Sequence, residues 1–444
     1  MSEVNVFKFG GSCLKESNDL EAVVQRIVES TCEKTVIVVS ALHGVTDRIL
    51  ERLERNEIDS IPAFVTSIGL MHLEMSPALV NDAYYYKFQD ALAALSDSLL
   101  DNFENPSEPS RIRAQIAGEQ MSSIAVSAAV SACGIDSKPV WSEEFGIKIH
   151  KVKGESVIDI NSTIESLNLP DVPVIVVTGW YGMYDEMPAL LARGGSDLTA
   201  TSLAAVLNAS EVTIWRDVSG VLALSPRWAI PSRNLPYLSY TEAQELALFS
   251  EPVLHPFAVE PLRKEGIPLR LRPLHDPSNF GSCIGPSIAT GVPRVRAIGC
   301  LPHLVPLTMR LSGVMSVAKV VADATILLDR AHVRVWSLRA RPNEARFLVS
   351  ERVSSLAMRL LSESPSLPTP NQGDTISILC LVGESIGSNF SISSEIEEFA
   401  LQSDLELTHL DEGKRDHALH YTVLNSQTQE ALITIAKNFD LLIP

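Results

Sequence analysis

The sequence predicts an α/β protein, with a mostly parallel sheet covered by helices on both faces and two small βαββαβ, ferredoxin-like modules after it. Residues 1–295 alternate strand-length apolar runs with amphipathic helical segments, as strands buried on both faces do. Past residue 300 the order becomes β-α-β-β-α and occurs twice. Between the two copies lies Glu363-Ser-Pro-Ser-Leu-Pro-Thr-Pro-Asn-Gln-Gly373, a proline-rich polar stretch that reads as a linker. The expected domains are 1–295, 300–364 and 374–444.

In chain order, Val4-Asn-Val-Phe-Lys-Phe-Gly-Gly-Ser12 runs from an apolar strand through Gly10 and Gly11 toward a helix, with Lys8 just before the glycines. A lysine at the end of a buried strand is costly without an anionic partner, so a phosphate is a better account of Lys8 than packing. Leu20, Val23, Val24, Ile27 and Val28 recur at helical spacing, and Asn18 and Glu21 are spaced as a capping box. Thr35 to Leu42 is a buried strand with polar Ser40 near its end. His43-Gly-Val-Thr-Asp47 follows, a turn at a strand's carboxyl end, where ligands gather in open α/β sheets.

Residues 48–110 read as helices rich in Leu and Ala. Glu119, in Ala117-Gly-Glu-Gln-Met-Ser122, falls at an expected helix N-terminus, where a carboxylate is favoured by the helix dipole. Val172 to Thr178 is another strand. A second glycine turn, Gly194-Gly195, delivers Ser196 and Asp197 to a helix N-terminus, a place where free N–H groups favour an anion. Arg193 stands just before it, with a planar fork suited to a carboxylate. Asp217 and Arg227 flank a turn after the strand Val212 to Trp215, where they could meet a nucleotide.

In the C-terminal part, strands at Leu304–Leu311, Val333–Leu338 and Phe347–Ser350 alternate with helices near Val317–Asp329 and Val353–Leu361. The second copy has strands at Thr375–Val382, Leu405–Leu410 and His417–Leu424. Its helices carry Ile396, Phe399 and Ala400, then Leu432, Ile435, Ala436 and Phe439. These modules show no catalytic groups, so ligand sensing or assembly is their expected work.

The chain has 444 residues and a formal net charge of -18, which argues against nonspecific binding to nucleic acid or to an anionic membrane. No signal peptide or membrane span is expected, since the longest apolar runs are strand-length. The six cysteines are scattered without metal-ligand spacing, which fits a reducing cytoplasm. His72, His255 and the other histidines also lack such spacing and are expected to be structural, so no protein metal ligands are expected.

Taken in order, six motifs resemble those of aspartate kinases, which have the amino acid kinase fold. They are Lys8-Phe-Gly-Gly-Ser12, Val39-Ser-Ala-Leu-His-Gly-Val-Thr-Asp47, Gly118-Glu119-x-x-Ser122, Arg193-Gly-Gly-Ser-Asp197, Ile214-Trp-Arg-Asp-Val-x-Gly220 and Val253-Leu-His-Pro256. The resemblance runs from residue 4 to about 290, and the C-terminal pair of modules resembles ACT domains. It implies a three-layer αβα fold and ATP-dependent phosphorylation of the side-chain carboxylate of L-aspartate to 4-phospho-L-aspartate. That reaction opens aspartate-family biosynthesis of lysine, threonine and methionine. A carboxylate with a pKa near ~4 is already ionised and needs no base, so positive charge and positioning should do the work.

By the same resemblance, Lys8 would stabilise the transferring phosphoryl group, with Mg2+ bridging phosphate oxygens. Gly10, Gly11 and Ser12 would cradle phosphates and Asp197 would orient Lys8. Arg193 would hold the α-carboxylate of aspartate and Glu119 its ammonium, with Thr46 and Ser196 lining the acceptor site. Ser40, Asp217 and Arg227 would face ATP. The ACT-like modules would pair across a homodimer and take an amino acid effector such as lysine or threonine.

The chain also departs from the family's pattern. Arg216 stands where Thr is common, Leu222 where an aromatic is, Cys13 where a hydroxyl is, and Ala192 where a glycine is. Phe249-Ser-Glu-Pro252 replaces Phe-Gly-Ala-Lys, losing a phosphate-binding cation, and Arg216 is a candidate to supply that charge. Two other readings stay open here: an aspartate-binding regulatory homologue with weakened nucleotide chemistry, and a kinase acting on a related amino acid carboxylate.

Overall fold

The computed structural model describes residues 4–443 apart from 31, 56, 153–154, 193, 250–255, 289–291, 314 and 411–416, with backbone alone at 82 and 256. The chain forms two units. The first comprises Met1–Val221, Asn234–Gln244 and Pro252–Ile288, and the second Leu222–Arg233, Glu245–Glu251 and Ala289–Pro444.

The first unit runs β1 (Val4–Phe9), α1 (Ser17–Val28), β2 (Lys34–Val39), α2 (Val45–Leu53), α3 (Ile61–Met75), α4 (Asp82–Glu104), α5 (Glu108–Ala132), β3 (Ser137–Val140) and α6 (Ser142–Phe145). It continues with β4 (Ile149–Val152), β5 (Glu155–Ile158), α7 (Ile160–Ser166), β6 (Val174–Thr178), β7 (Tyr181–Tyr184), β8 (Met187–Leu190), α8 (Gly195–Val206) and β9 (Glu211–Arg216). Then come β10 (Tyr237–Ser239), α9 (Tyr240–Phe249), α10 (Glu260–Glu265), β11 (Leu269–Pro273) and β12 (Ser282–Gly285). The C-terminal half of α9 belongs to the second unit.

The main sheet has the order β10-β12-β11-β9-β1-β2-β6-β3, and its pairs are parallel except β11 with β12. Apolar side chains on both faces explain the parallel pairing: Val6, Phe7, Phe9, Val36–Val39 and Val174–Val177 are all buried. Phe9 stacks on Trp215 of the next strand with ring centroids 6.3 Å apart, and Phe7 meets the same indole edge-on at 6.0 Å. Because β9, β1, β2 and β6 run the same way, their carboxyl ends share one edge of the sheet, so the loops after Phe9, Val39, Thr178 and Arg216 come together.

Two local expectations are corrected. The cap of α1 is Glu16 with Asp19 rather than Asn18 with Glu21. Asp19 Oδ2 accepts from the amides of Lys15 at 2.9 Å and Glu16 at 3.2 Å, which starts the helix one residue before Asn18. Glu119 lies in the middle of α5, not at a helix N-terminus. The Gly-Glu-Gln stretch is polar enough to read as a start, but small neighbours such as Ala114, Ala117 and Ala125 keep it in one long buried helix.

The second unit holds β13 (Arg294–Arg310), α11 (Val317–Arg330), β14 (Val335–Arg341), β15 (Glu344–Ser350), α12 (Glu351–Glu363) and β16 (Asn371–Gln372). They are followed by β17 (Ile376–Glu384), α13 (Phe390–Gln402), β18 (Thr408–His409), β19 (Ala418–Leu424) and α14 (Thr428–Asn438). The sheet order is β14-β15-β13-β17-β19-β18, with β16 added on β13. Strand β13 starts at Arg294, ten residues before the expected Leu304. Its first part pairs with β17 and its second with β15, with a register shift between Leu301 and Leu304, where His303 has φ 58°. One strand thus serves both βαββαβ copies and fuses them into a single antiparallel sheet. Among the described residues no helix is long and apolar enough to cross a membrane.

Candidate active site

The shared strand edge collects the polar residues of the first unit. Lys8, on β1, is 11% exposed, and its Nζ lies 2.7 Å from Asp197 Oδ1. Arg216, the last residue of β9, places Nη2 2.8 Å from Asp197 Oδ2. Asp197 sits in the first turn of α8, where the helix dipole favours a carboxylate, and the turn into that helix is made by Gly194 at φ 77°. Two cations on one carboxylate leave a net positive charge at this edge. The pairing is nearly out of water, so each partner is costly to remove, at about 3–5 kcal/mol.

Glycines make these approaches fit. A Cβ at Gly10 would lie 2.8 Å from Lys8 Nζ, so a side chain there would push the ammonium away from its place. A Cβ at Gly179, in the loop after β6, would lie 2.7 Å from Ser196 Oγ and 3.0 Å from the Val39 carbonyl oxygen. Through that gap Ser40 Oγ donates to Ser196 Oγ at 3.0 Å, tying the end of β2 to the start of α8. Gly179 was missed in the sequence, although its place directly after the buried run Val174–Thr178 is the available signal.

Beneath the first glycine loop, the Cys13 thiol donates to the Trp215 carbonyl at 3.3 Å. Burial pushes that thiol up to about 11, so it stays protonated. Gly11 and Ser12 are half-buried in the same loop. Asp217, just past β9, receives Lys15 Nζ at 3.0 Å. Partial burial raises the Asp217 carboxyl, but hydrogen bonds from Lys15, its own amide and Ser12 outweigh that and hold it below the usual range. Lys15 is a cation of this edge that sequence reasoning missed, because it lies outside any motif.

Glu119 comes to the same region from α5. A Cβ at Gly118 would meet Ala41 Cβ at 2.8 Å and Val45 Cγ1 at 3.3 Å, so the glycine lets α5 press against the loop after β2. The Glu119 side chain is buried, and burial raises its carboxyl to about 8 against hydrogen bonding from the Ala41 amide. Its Oε2 has no hydrogen-bond partner among the described residues. A carboxylate held this way has a strong preference for an arriving cation. Thr46 lies half-buried in the first turn of α2, which begins after Gly44 at φ 75°.

Arg193, Glu251 and Pro252 lie outside the described residues, as do Val253, Leu254 and His255. Leu222 and Arg227 belong to the second unit, where the Arg227 guanidinium lies 5.2 Å from the Trp228 ring centroid. His72 is buried in α3 beside the Ile68 carbonyl at 2.8 Å, and burial lowers it to about 4, so it is neutral and structural.

Residues 3–273 match the model of the amino acid kinase family. Aspartokinase 2, chloroplastic, of Arabidopsis thaliana is 30% identical over 294 residues, covering 63% of this chain and 54% of its own. The chain thus spans about half the length of the curated relatives it matches. Among solved structures, E. coli aspartokinase III in complex with aspartate and ADP (R-state) superposes with TM-score 0.81 at 19% identity. The match covers 99% of this chain and 100% of that one. The same protein in complex with lysine and aspartate (T-state) gives 0.78 at 20% identity, with the same coverage. At this identity the likeness speaks for the fold: a three-layer αβα kinase unit followed by paired ACT-type modules.

Proposed function

The chain belongs to the amino acid kinase family, and from that premise we propose that it is an aspartate kinase, transferring the γ-phosphoryl group of ATP to the side-chain carboxylate of L-aspartate. The observation that carries this reading is the Lys8 ammonium, fixed by Asp197 at 2.7 Å over a glycine loop that has no side chain to cover it. Residues 1–295 would carry the chemistry, and the modules 300–364 and 374–444 would bind an amino acid effector and pair in a homodimer. Relatives named as aspartokinases support the kinase assignment, and the lysine complex of the E. coli protein supports an amino acid effector.

In this reaction a carboxylate oxygen bonds to phosphorus as the bond from phosphorus to the ADP oxygen breaks. No proton leaves the acceptor, so no general base is needed and Asp197 is left to hold cations. Lys8 would meet the negative charge on the transferring group, and Gly10, Gly11 and Ser12 would offer backbone N–H groups to phosphates. Ser196 amide and side chain, with Thr46, would flank the acceptor carboxylate. Glu119 would take the aspartate ammonium on Oε2, and Arg193 the α-carboxylate. Ser40 and Asp217 are proposed for the nucleotide.

The residues fit ATP: a fixed cation and a glycine loop stand at a strand edge beside a helix N-terminus. Magnesium, when bound, would neutralise phosphate charge. It keeps water and is held largely by phosphate oxygens, which suits an edge where Asp197 already carries two cations. A cytoplasmic location is proposed from cysteines that form no disulfide among the described residues.

The test is ADP formation over a panel of L-aspartate, L-glutamate and N-acetyl-L-aspartate. Turnover with aspartate alone supports the assignment. Turnover with glutamate in its place would point to a related amino acid carboxylate. Aspartate binding by calorimetry without turnover would favour a regulatory homologue.

A further inference from the structure

Within the second unit, three side chains with metal-binding atoms converge in a place the reaction does not use. Gly299 of β13 pairs with Cys380 of β17, and Cys380 pairs with His420 of β19, so the three form one row across adjacent strands and share a face. The C-terminal half of α9 covers that row. Gly299 makes the cover possible: a Cβ there would already meet Phe249 Cβ at 3.2 Å. The Phe249 ring packs on the His420 imidazole, with centroids 4.7 Å apart. This brings Glu245, one turn earlier on α9, to His420, with Oε2 3.8 Å from Nε2.

We propose that Glu245, Cys380 and His420 bind a divalent metal ion of borderline softness, Zn2+ foremost. One carboxylate oxygen, one sulfur and one ring nitrogen lie within 4.8 Å of one another. Tetrahedral zinc places such ligands about 3.3–3.8 Å apart, from bond lengths of ~2.0–2.3 Å. The His420–Glu245 edge already has that length, and sulfur closes by about 1 Å. Cys380 and His420 are fully enclosed by the sheet and α9, while Glu245, at 19% exposure, gives the ion its way in.

Thiolate and imidazole together select Zn2+ or Co2+ over Mg2+ or Ca2+, so this site does not compete with a nucleotide's magnesium. On binding, the Cys380 thiol gives its proton to solvent and its sulfur bonds the metal. Three protein ligands leave a fourth position for water. The metal would fasten residues 245–249 to the β13-β17-β19 sheet. Spacing along the chain could not reveal this site, because its ligands are separated by 135 and 40 residues and meet only through strand register.

The test uses the full chain, stripped of metal and titrated with Co2+ and then Zn2+. The expected result is about one equivalent of Co2+ per chain, with the visible bands of tetrahedral cobalt and a thiolate-to-cobalt charge-transfer band, both removed by Zn2+. Cys380→Ser should abolish the charge-transfer band, and Cys133→Ser, at an exposed cysteine, should leave it. His420→Gln and Glu245→Gln should each weaken Zn2+ binding by more than ~10-fold. Absence of the band in the wild type, or its survival in Cys380→Ser, would overturn the proposal. Should Cys380→Ser fail to fold, Glu245→Gln decides alone, and unchanged Zn2+ affinity in that variant contradicts the site.

Discussion

Arg216 donates to Asp197 Oδ2 at 2.8 Å, on a carboxylate whose other oxygen takes Lys8 at 2.7 Å. The arginine that stands where the family's pattern has threonine is therefore tied to the residue that positions the lysine. Both ends of the Asp197 carboxylate are held, so it cannot rotate away from Lys8 without leaving a guanidinium unpaired in a poorly solvated place.

Arg216→Ala is expected to lower kcat by about 10- to 100-fold while the KM for ATP changes little, since the arginine acts through Asp197. Arg216→Lys should recover part of the loss. Steady-state kinetics decide it: an increase in KM for ATP at unchanged kcat would place Arg216 on the nucleotide instead, as a substitute for the cation missing at Pro252.

Glu119 gives a pH signature. Its folded pKa of about 8 is above the ordinary carboxyl value of 4.5, so the folded state holds a proton that the unfolded state gives up. Its contribution to stability is present below the unfolded pKa and declines as pH rises toward 8, by as much as a few kcal/mol. Glu119→Gln should therefore flatten the fall in Tm between pH 5 and 8 and melt higher than wild type at pH 8. The same variant should lose aspartate binding. A variant with an unchanged Tm-against-pH profile would rule out the buried, protonated Glu119.

Substrate binding should carry the mirror-image dependence. An ammonium binds the ionised form of Glu119, so below about pH 8 aspartate must displace a proton. The dissociation constant for aspartate, measured by calorimetry, should fall as pH rises from 6 to 8, by up to ~10-fold per unit, and then level off. Affinity independent of pH across that window would remove Glu119 from the ammonium site.

Gly10→Ala should reduce activity by at least ~100-fold with a Tm close to wild type. The added methyl meets the mobile end of Lys8 at 2.8 Å rather than backbone, so the ammonium moves and the fold does not. A Tm drop of many degrees would instead mean that the loop itself cannot accept the methyl.

Much of the site was legible because its parts are backbone devices. Strand followed by glycines, at Lys8 to Gly11 and at Gly194 to Asp197, marks a loop where main chain can approach a ligand, and the parallel sheet then forces such loops to one edge. Glu119 was found as a residue and misplaced as structure, since a small polar run in mid-helix carries the same letters as a helix start. The length of β13 was underestimated because its first half is completed by pairing with β17, which lies some 80 residues later. The Arg216–Asp197 bond could not be read from either segment, because it depends on β9 lying beside β1 with α8 above them.

The most direct test of the central claim is to trap the acyl phosphate. Purified protein with Mg-ATP, L-aspartate and hydroxylamine should form aspartyl hydroxamate, dependent on aspartate and lost in Lys8→Ala. Hydroxamate absent from the wild type, or formed equally well by Lys8→Ala, would contradict the claim that a lysine fixed by Asp197 drives phosphoryl transfer to an aspartate carboxylate.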